Sequence, residues 1–125
     1  MSHQDFIDKQ KILYKSLQPT YCKVIQDTVH FTADGLNHIL YHRRRPRKLT
    51  ERAYRAALIS YLVEVITDAT KATKTIDPQF GIDPLWIIEH QVKAAYKGKK
   101  QMVKIILQKK GAGNTHFLSV MCREA

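Results

Sequence analysis

The apolar residues of the chain recur at helical spacing up to about residue 70 and alternate beyond Pro84. In DFIDKQKILYKSL, residues 5–17, Phe6, Ile7, Ile12, Leu13 and Leu17 can share one broad helical face, and Pro19 stops that helix. Thr28-Val29-His30-Phe31 is a short β-prone run. TADGLNHILYH, residues 32–42, predicts a short helix with Thr32 at its N-cap, Asp34 near its positive end and Pro46 as its stop. The clearest helix runs from Thr50, a good N-cap, to Ala69; Tyr54, Leu58, Tyr61, Leu62, Val65 and Ala69 form its buried stripe.

Asp77-Pro78 and Asp83-Pro84 then mark a loop around Gly81. LWIIEHQVKAAY, QMVKIILQK and THFLSVM suit three strands, linked by KGKK and KGAGN, and ATKTI, residues 72–76, suits a fourth at the sheet edge. Trp86, Ile88, Val92, Val103, Ile105, Leu107, Leu118 and Val120 make the expected core face. The other face carries Glu89, Gln91, Lys104, Gln108, Thr115 and Ser119, interleaved with Met102, Ile106, Phe117 and Met121. Helices followed by a meander predict an α+β fold, with N-terminal helices packed on one face of a three- to four-stranded antiparallel β-meander. No internal repeat divides the chain, so residues 1–125 are expected to form a single domain. Its parts are an N-terminal helical segment over 1–27, a strand and helices with a basic loop over 28–70, and the antiparallel sheet over 71–125.

Composition changes the picture at one point. The 125 residues are 44% hydrophobic, enough for a domain that buries its own core. Twenty-one Lys and Arg against 11 Asp and Glu give a net charge of +10, which points to a polyanionic partner: nucleic acid before acidic membrane. No apolar run approaches the roughly 18 residues that span a bilayer, and the N-terminus carries no apolar signal segment. The expectation is a soluble, cytoplasmic protein with no membrane partner. Cys22 and Cys122 match no metal spacing and suit two lone thiols in a reducing compartment.

Three stretches carry residues suited to chemistry. On the 32–42 helix, Asp34, His38 and His42 fall on one face, within about one-quarter of a turn, opposite Leu36, Ile39 and Leu40. Acid–base catalysis, a metal site and plain surface histidines all fit this spacing. The metal reading lacks the glutamate of HExxH and a third ligand at telling distance. Next come Arg43, Arg44, Arg45, Arg47 and Lys48, around Pro46. Helix-end electrostatics stabilise only the first such charges, by a few tenths of a kcal/mol each, so five together suit a phosphate chain better than a solvated run. The third stretch is GAGNTHFLSVM, residues 111–121, with Thr115, His116 and Ser119 on a strand after a glycine turn able to meet an anion. His116 by itself suits a core histidine as well as a functional one.

The order of these parts, with LNHILYHRRRPRKL and NTHFLSV as the telling segments, resembles the phage- and toxin-associated ribonucleases of the barnase–EndoU–colicin–RelE-like superfamily over residues 28–121. The resemblance implies metal-independent RNA cleavage without a cofactor, by attack of the 2′-hydroxyl on the adjacent phosphodiester. It implies catalytic roles for His38, His42 and His116, phosphate positioning by Thr115 and Ser119, and nucleic-acid binding by Arg43, Arg44, Arg45, Arg47, Lys48 and Lys104. It also implies an antitoxin or immunity partner, and delivery as an effector without a cleaved signal. The competing expectation is a module that binds nucleic acid without cutting it, with Phe117 and the tyrosines stacking on bases.

Overall fold

A computed structural model describes residues 2–93 and 100–124. The helices are α1 (His3–Ser16), α2 (Ala33–Leu40), α3 (Leu49–Ala56) and α4 (Leu62–Asp68), with 3-10 turns at Ala57–Tyr61 and Pro78–Phe80. The strands are β1 (Thr20–Cys22), β2 (Asp27–His30), β3 (Tyr41–His42), β4 (Arg45–Pro46), β5 (Ala72–Thr75), β6 (Leu85–Lys93), β7 (Lys100–Lys109) and β8 (Thr115–Glu124). The fold is α+β, as expected, but the sheet is larger and mixed. Six strands lie in the order β1-β2-β8-β7-β6-β5, and β3 with β4 forms a separate hairpin. The meander β5 to β8 is antiparallel, with β5 at the predicted edge. The addition is the β1–β2 hairpin, whose second strand pairs parallel with β8 through Val29↔Thr115 and His30↔His116. The expected KGKK link lies outside the described residues except for Lys100. No helix among the described residues is long and apolar enough to cross a membrane.

The α1 stripe differs from the expected one. Ile7 and Tyr14, seven residues apart, are buried, whereas Ile12 is 71% exposed and Leu13 borderline. Tyr14 accounts for this register, because its hydroxyl donates to Thr32 O at 2.6 Å and orients the helix around it. The expected 50–69 helix starts one residue before Thr50, with Lys48 at the N-cap, and is interrupted by the 3-10 turn. Leu58, Leu62, Val65 and Ala69 are buried as the stripe requires, and the tighter turn adds Ile59.

One irregularity resets the faces of β8. Leu107 pairs with Phe117 and Ile106 with Ser119, so Leu118 is an extra residue without a partner. The bulge changes the phase of the alternation. Phe117, expected on the open face, is fully buried in the core with Val120, and Thr115 shares its side. His116 therefore faces the opposite side.

The rings of Tyr14, Phe31 and Phe117 meet with centroids 5.9–6.1 Å apart. Gly35 of α2 lies against this cluster. A Cβ there would sit 2.8 Å from the Phe117 carbonyl oxygen and within 2.6 Å of the Phe117 ring and the Tyr14 hydroxyl. Gly35→Ala is expected to destabilise the fold by about 1–3 kcal/mol through overpacking. The check is a lower urea midpoint at an unchanged m-value.

Candidate nucleic-acid site

The site begins with the end of α2. Its last residue is Leu40, and Tyr41 is already extended. The chain then turns back on itself: Tyr41 pairs with Pro46, His42 with Arg45, and Arg47 N donates to Leu40 O at 2.9 Å. The expected helix to residue 42 is thus two residues too long, and the cationic run folds as a β-hairpin. Proline is tolerated in so short a strand. The two-residue loop is Arg43-Arg44, at φ 50° and 68°. Such a turn requires positive φ at both positions and normally takes Asn-Gly. Two arginines there store backbone strain of about 1–2 kcal/mol per residue.

The hairpin separates the two histidines that were expected together. Asp34 and His38, four residues apart, remain on one side of α2. They line an open groove of about 490 Å³ with Asn37, Tyr41, Arg43 and Arg44. His42 leaves the helix and lines a different groove with Arg45, Pro46, Arg47, Lys48 and Glu51. The metal set Asp34, His38 and His42 is therefore taken apart. Among the described residues no group of three His, Cys, Asp or Glu side chains is gathered to hold a metal ion.

Gly35 of α2 packs on Phe117, while His116 faces the other side of β8. The Asp34 carboxylate acts by charge on both His38 and His116. Lys110 Nζ lies 3.9 Å from Asp34 Oδ2 in a solvated pair. Across the strands, His116 stands beside His30 and Gln108. Gln108 donates through Nε2 to the carbonyls of Phe80 (2.8 Å) and Asp83 (3.3 Å). The Phe80 ring in turn packs on His38, centroids 5.7 Å apart. Gln108 and Phe80 thus link the strand position beside His116 to His38.

The electrostatics follow from burial. Desolvation holds the His38 imidazole below its ordinary pKa, with Asp34 opposing and Arg47 assisting. His116 is lowered in the same way, with the Asn114 backbone opposing and Lys110 assisting. His116 is 7% exposed, and its Nε2 has no hydrogen-bond partner among the described residues. It is not part of the groove wall. Burial also raises the Tyr14 phenol, with Asp34 adding to the effect.

The remaining expected residues divide sharply. Arg43, Arg44 and Arg45 are exposed and have no ion-pair or hydrogen-bond partner among the described residues. Arg47 is engaged instead: Nε and Nη2 donate to His38 O at 3.3 and 3.2 Å, and Nη1 pairs with Glu51 at 3.0 Å. It ties the end of α2 to α3, which replaces its expected phosphate contact. Thr115 is 1% exposed and donates to Asp27 Oδ2 at 2.6 Å, so it fastens β2 to β8 on the side away from His116. Ser119 is buried beside Ile106, away from the groove. Lys104 is on the open sheet face opposite Glu89 and Met121, and lines neither groove. Phe117 is in the core, unable to stack on a base. Asn37 and Tyr41 are the groove residues that were missed. Their signal was the spacing Asp34, Asn37, His38, Tyr41, a polar stripe at steps of three and four.

Comparison with protein-family models, with curated proteins and with solved structures finds no match to this chain.

Replacing Arg43-Arg44 by Asn-Gly is expected to relieve the turn strain and raise stability by about 1–2 kcal/mol, seen as a higher melting temperature. Thr115→Val should weaken the β2–β8 junction by about 1 kcal/mol. Asp27, held below the usual carboxylate range chiefly by the Thr115 hydrogen bond, adds stability above its unfolded pKa that is lost as pH falls through the lowered folded value. The loss on acidification between about pH 5 and 2 should therefore be shallower in Thr115→Val than in the wild type, measured by urea denaturation.

Proposed function

We propose that the protein is a metal-independent endoribonuclease. The observation that carries this reading is the groove that gathers His38, Asp34, Arg43 and Arg44, the two arginines having no ion-pair partner among the described residues, with the Asp34 carboxylate acting by charge on both His38 and His116. Cleavage by 2′-hydroxyl attack needs a base, an acid and cations for the charge that gathers on phosphorus. His38, on the groove wall and held neutral by burial, accepts the 2′-hydroxyl proton, and Asp34 steadies the imidazolium that forms. The 2′-oxygen bonds to phosphorus as the bond from phosphorus to the 5′-oxygen breaks. A proton from His116 completes the leaving hydroxyl, and the product strand ends in a 2′,3′-cyclic phosphate. Arg43 and Arg44 hold the non-bridging oxygens, and Tyr41, 43% exposed, offers a ring for a base to stack on. A toxin or effector setting, with a neutralising partner protein, rests on the family resemblance alone.

A second reading, a module that binds nucleic acid without cutting it, is favoured by one observation: His116 is buried and absent from the groove wall. Tight, salt-sensitive binding with no cleavage would select it.

The direct test is incubation of total RNA with the purified protein in EDTA. Cleavage is expected, and His38→Ala and His116→Gln should each lower kcat by about 10²–10⁴-fold while circular dichroism shows a retained fold. Intact RNA, or cleavage unaltered in both variants, defeats the reading. The pH profile is a second check. Both imidazoles are lowered from 6.5, so loss of the His116 proton closes the active window on the alkaline side. The optimum of kcat/KM, which reports the free enzyme, is expected on the acid side of 6.5.

A further inference from the structure

The β3–β4 hairpin has two faces, and only one has been assigned a task. In a two-stranded ribbon successive side chains point to opposite sides. Tyr41 points toward the groove with His38 and Asp34, so His42 and its cross-strand partner Arg45 share the reverse side. There they line a second open groove of about 420 Å³ with Lys48. Its acid, Glu51, is neutralised twice, by Arg47 at 3.0 Å and Arg55 at 3.3 Å. His42, Arg45 and Lys48 are exposed, with no ion-pair partner among the described residues. The groove is therefore a cationic trough with its only carboxylate already satisfied. Arg45 and Lys48, two mutually repelling cations held in it, are stabilised when an anion lies between them.

The geometry points to a second phosphate subsite for an RNA strand on the His42–Arg45–Lys48 face of the hairpin. It deepens the ribonuclease reading and rests on it for the identity of the strand. The substrate passes over the Arg43–Arg44 tip, with the cleaved bond on the Tyr41 side and a downstream or upstream phosphate in the trough. Arg43 and Arg44, both exposed, stand at the crossing point. The trough thus reads a phosphate on the far side of the hairpin from the scissile bond. His42 becomes a substrate-binding residue rather than a partner of His38 in proton transfer.

The test compares a 12-nucleotide and a dinucleotide probe, both 2′-deoxy at the scissile position so that neither can be cut, by calorimetry with wild type and with Arg45→Gln/Lys48→Gln. Both altered side chains are exposed, and Lys48 makes no side-chain capping bond, so folding is not at stake. The double variant should lose at least about tenfold more affinity for the long probe than for the dinucleotide, and its slope of log affinity on log salt should fall by about 1.4, two phosphate contacts at 0.7 each. Equal losses on both probes, or none, overturn the second subsite. Failure of the ribonuclease reading is seen separately, as wild-type protein that binds the long probe but leaves the matching RNA intact. A trough that binds acidic peptide but not the 12-nucleotide probe also overturns the proposal and marks a protein-docking face.

Discussion

The close approach of α2 to β8 at Gly35 governs the candidate site. Only a residue without a side chain lets the helix backbone settle on the Phe117 carbonyl, with the Tyr14 hydroxyl filling the remaining space. Tyr14 is held by Thr32 O, immediately before α2, so α1, α2 and β8 meet at one point. Asp34, the residue before Gly35, stands with His38 on the groove wall, so the contact that closes the core also fixes the helix that carries them.

The second constraint is charge. The chain carries +10, and the fold spends its few carboxylates on structure: Glu51 on Arg47 and Arg55, Asp27 on Thr115 and Lys109, Glu89 on Arg123. The hairpin cations receive none of them. Two of these cations also occupy backbone conformations better suited to Asn and Gly. Repulsion and strain concentrated in one turn are relieved together by a bound polyanion, and this is the physical ground on which both grooves are read as phosphate sites. Burial disfavours the charged forms of His38 and His116.

Much of this was legible in the chain. The α2 face with Asp34 and His38, the edge strand β5 and the core faces of β6 and β7 follow from local periodicity, which burial on one side enforces. The misses share a cause. β1 is three residues long, too short for a period to register, and β2, although expected as a β-prone run, finds its parallel partner about 86 residues away, from His30 to His116. The bulge at Leu118 reverses part of β8, so Phe117 and Thr115 changed sides. Arg47 looked like its neighbours, yet the hairpin turns its guanidinium onto the end of α2.

The sequence by itself determined the α+β class, the excess of cations and the presence of histidines at Asp34–His38 spacing, because helix period, strand alternation and charge are local or additive properties. Tertiary structure decided which of those residues meet. It ended α2 at Leu40 through the Arg47–Leu40 backbone hydrogen bond, sent His42 to the reverse face and set α2 on β8 through the Gly35–Phe117 contact. These outcomes depend on hydrogen bonds and van der Waals contacts between distant segments, and no local pattern encodes them.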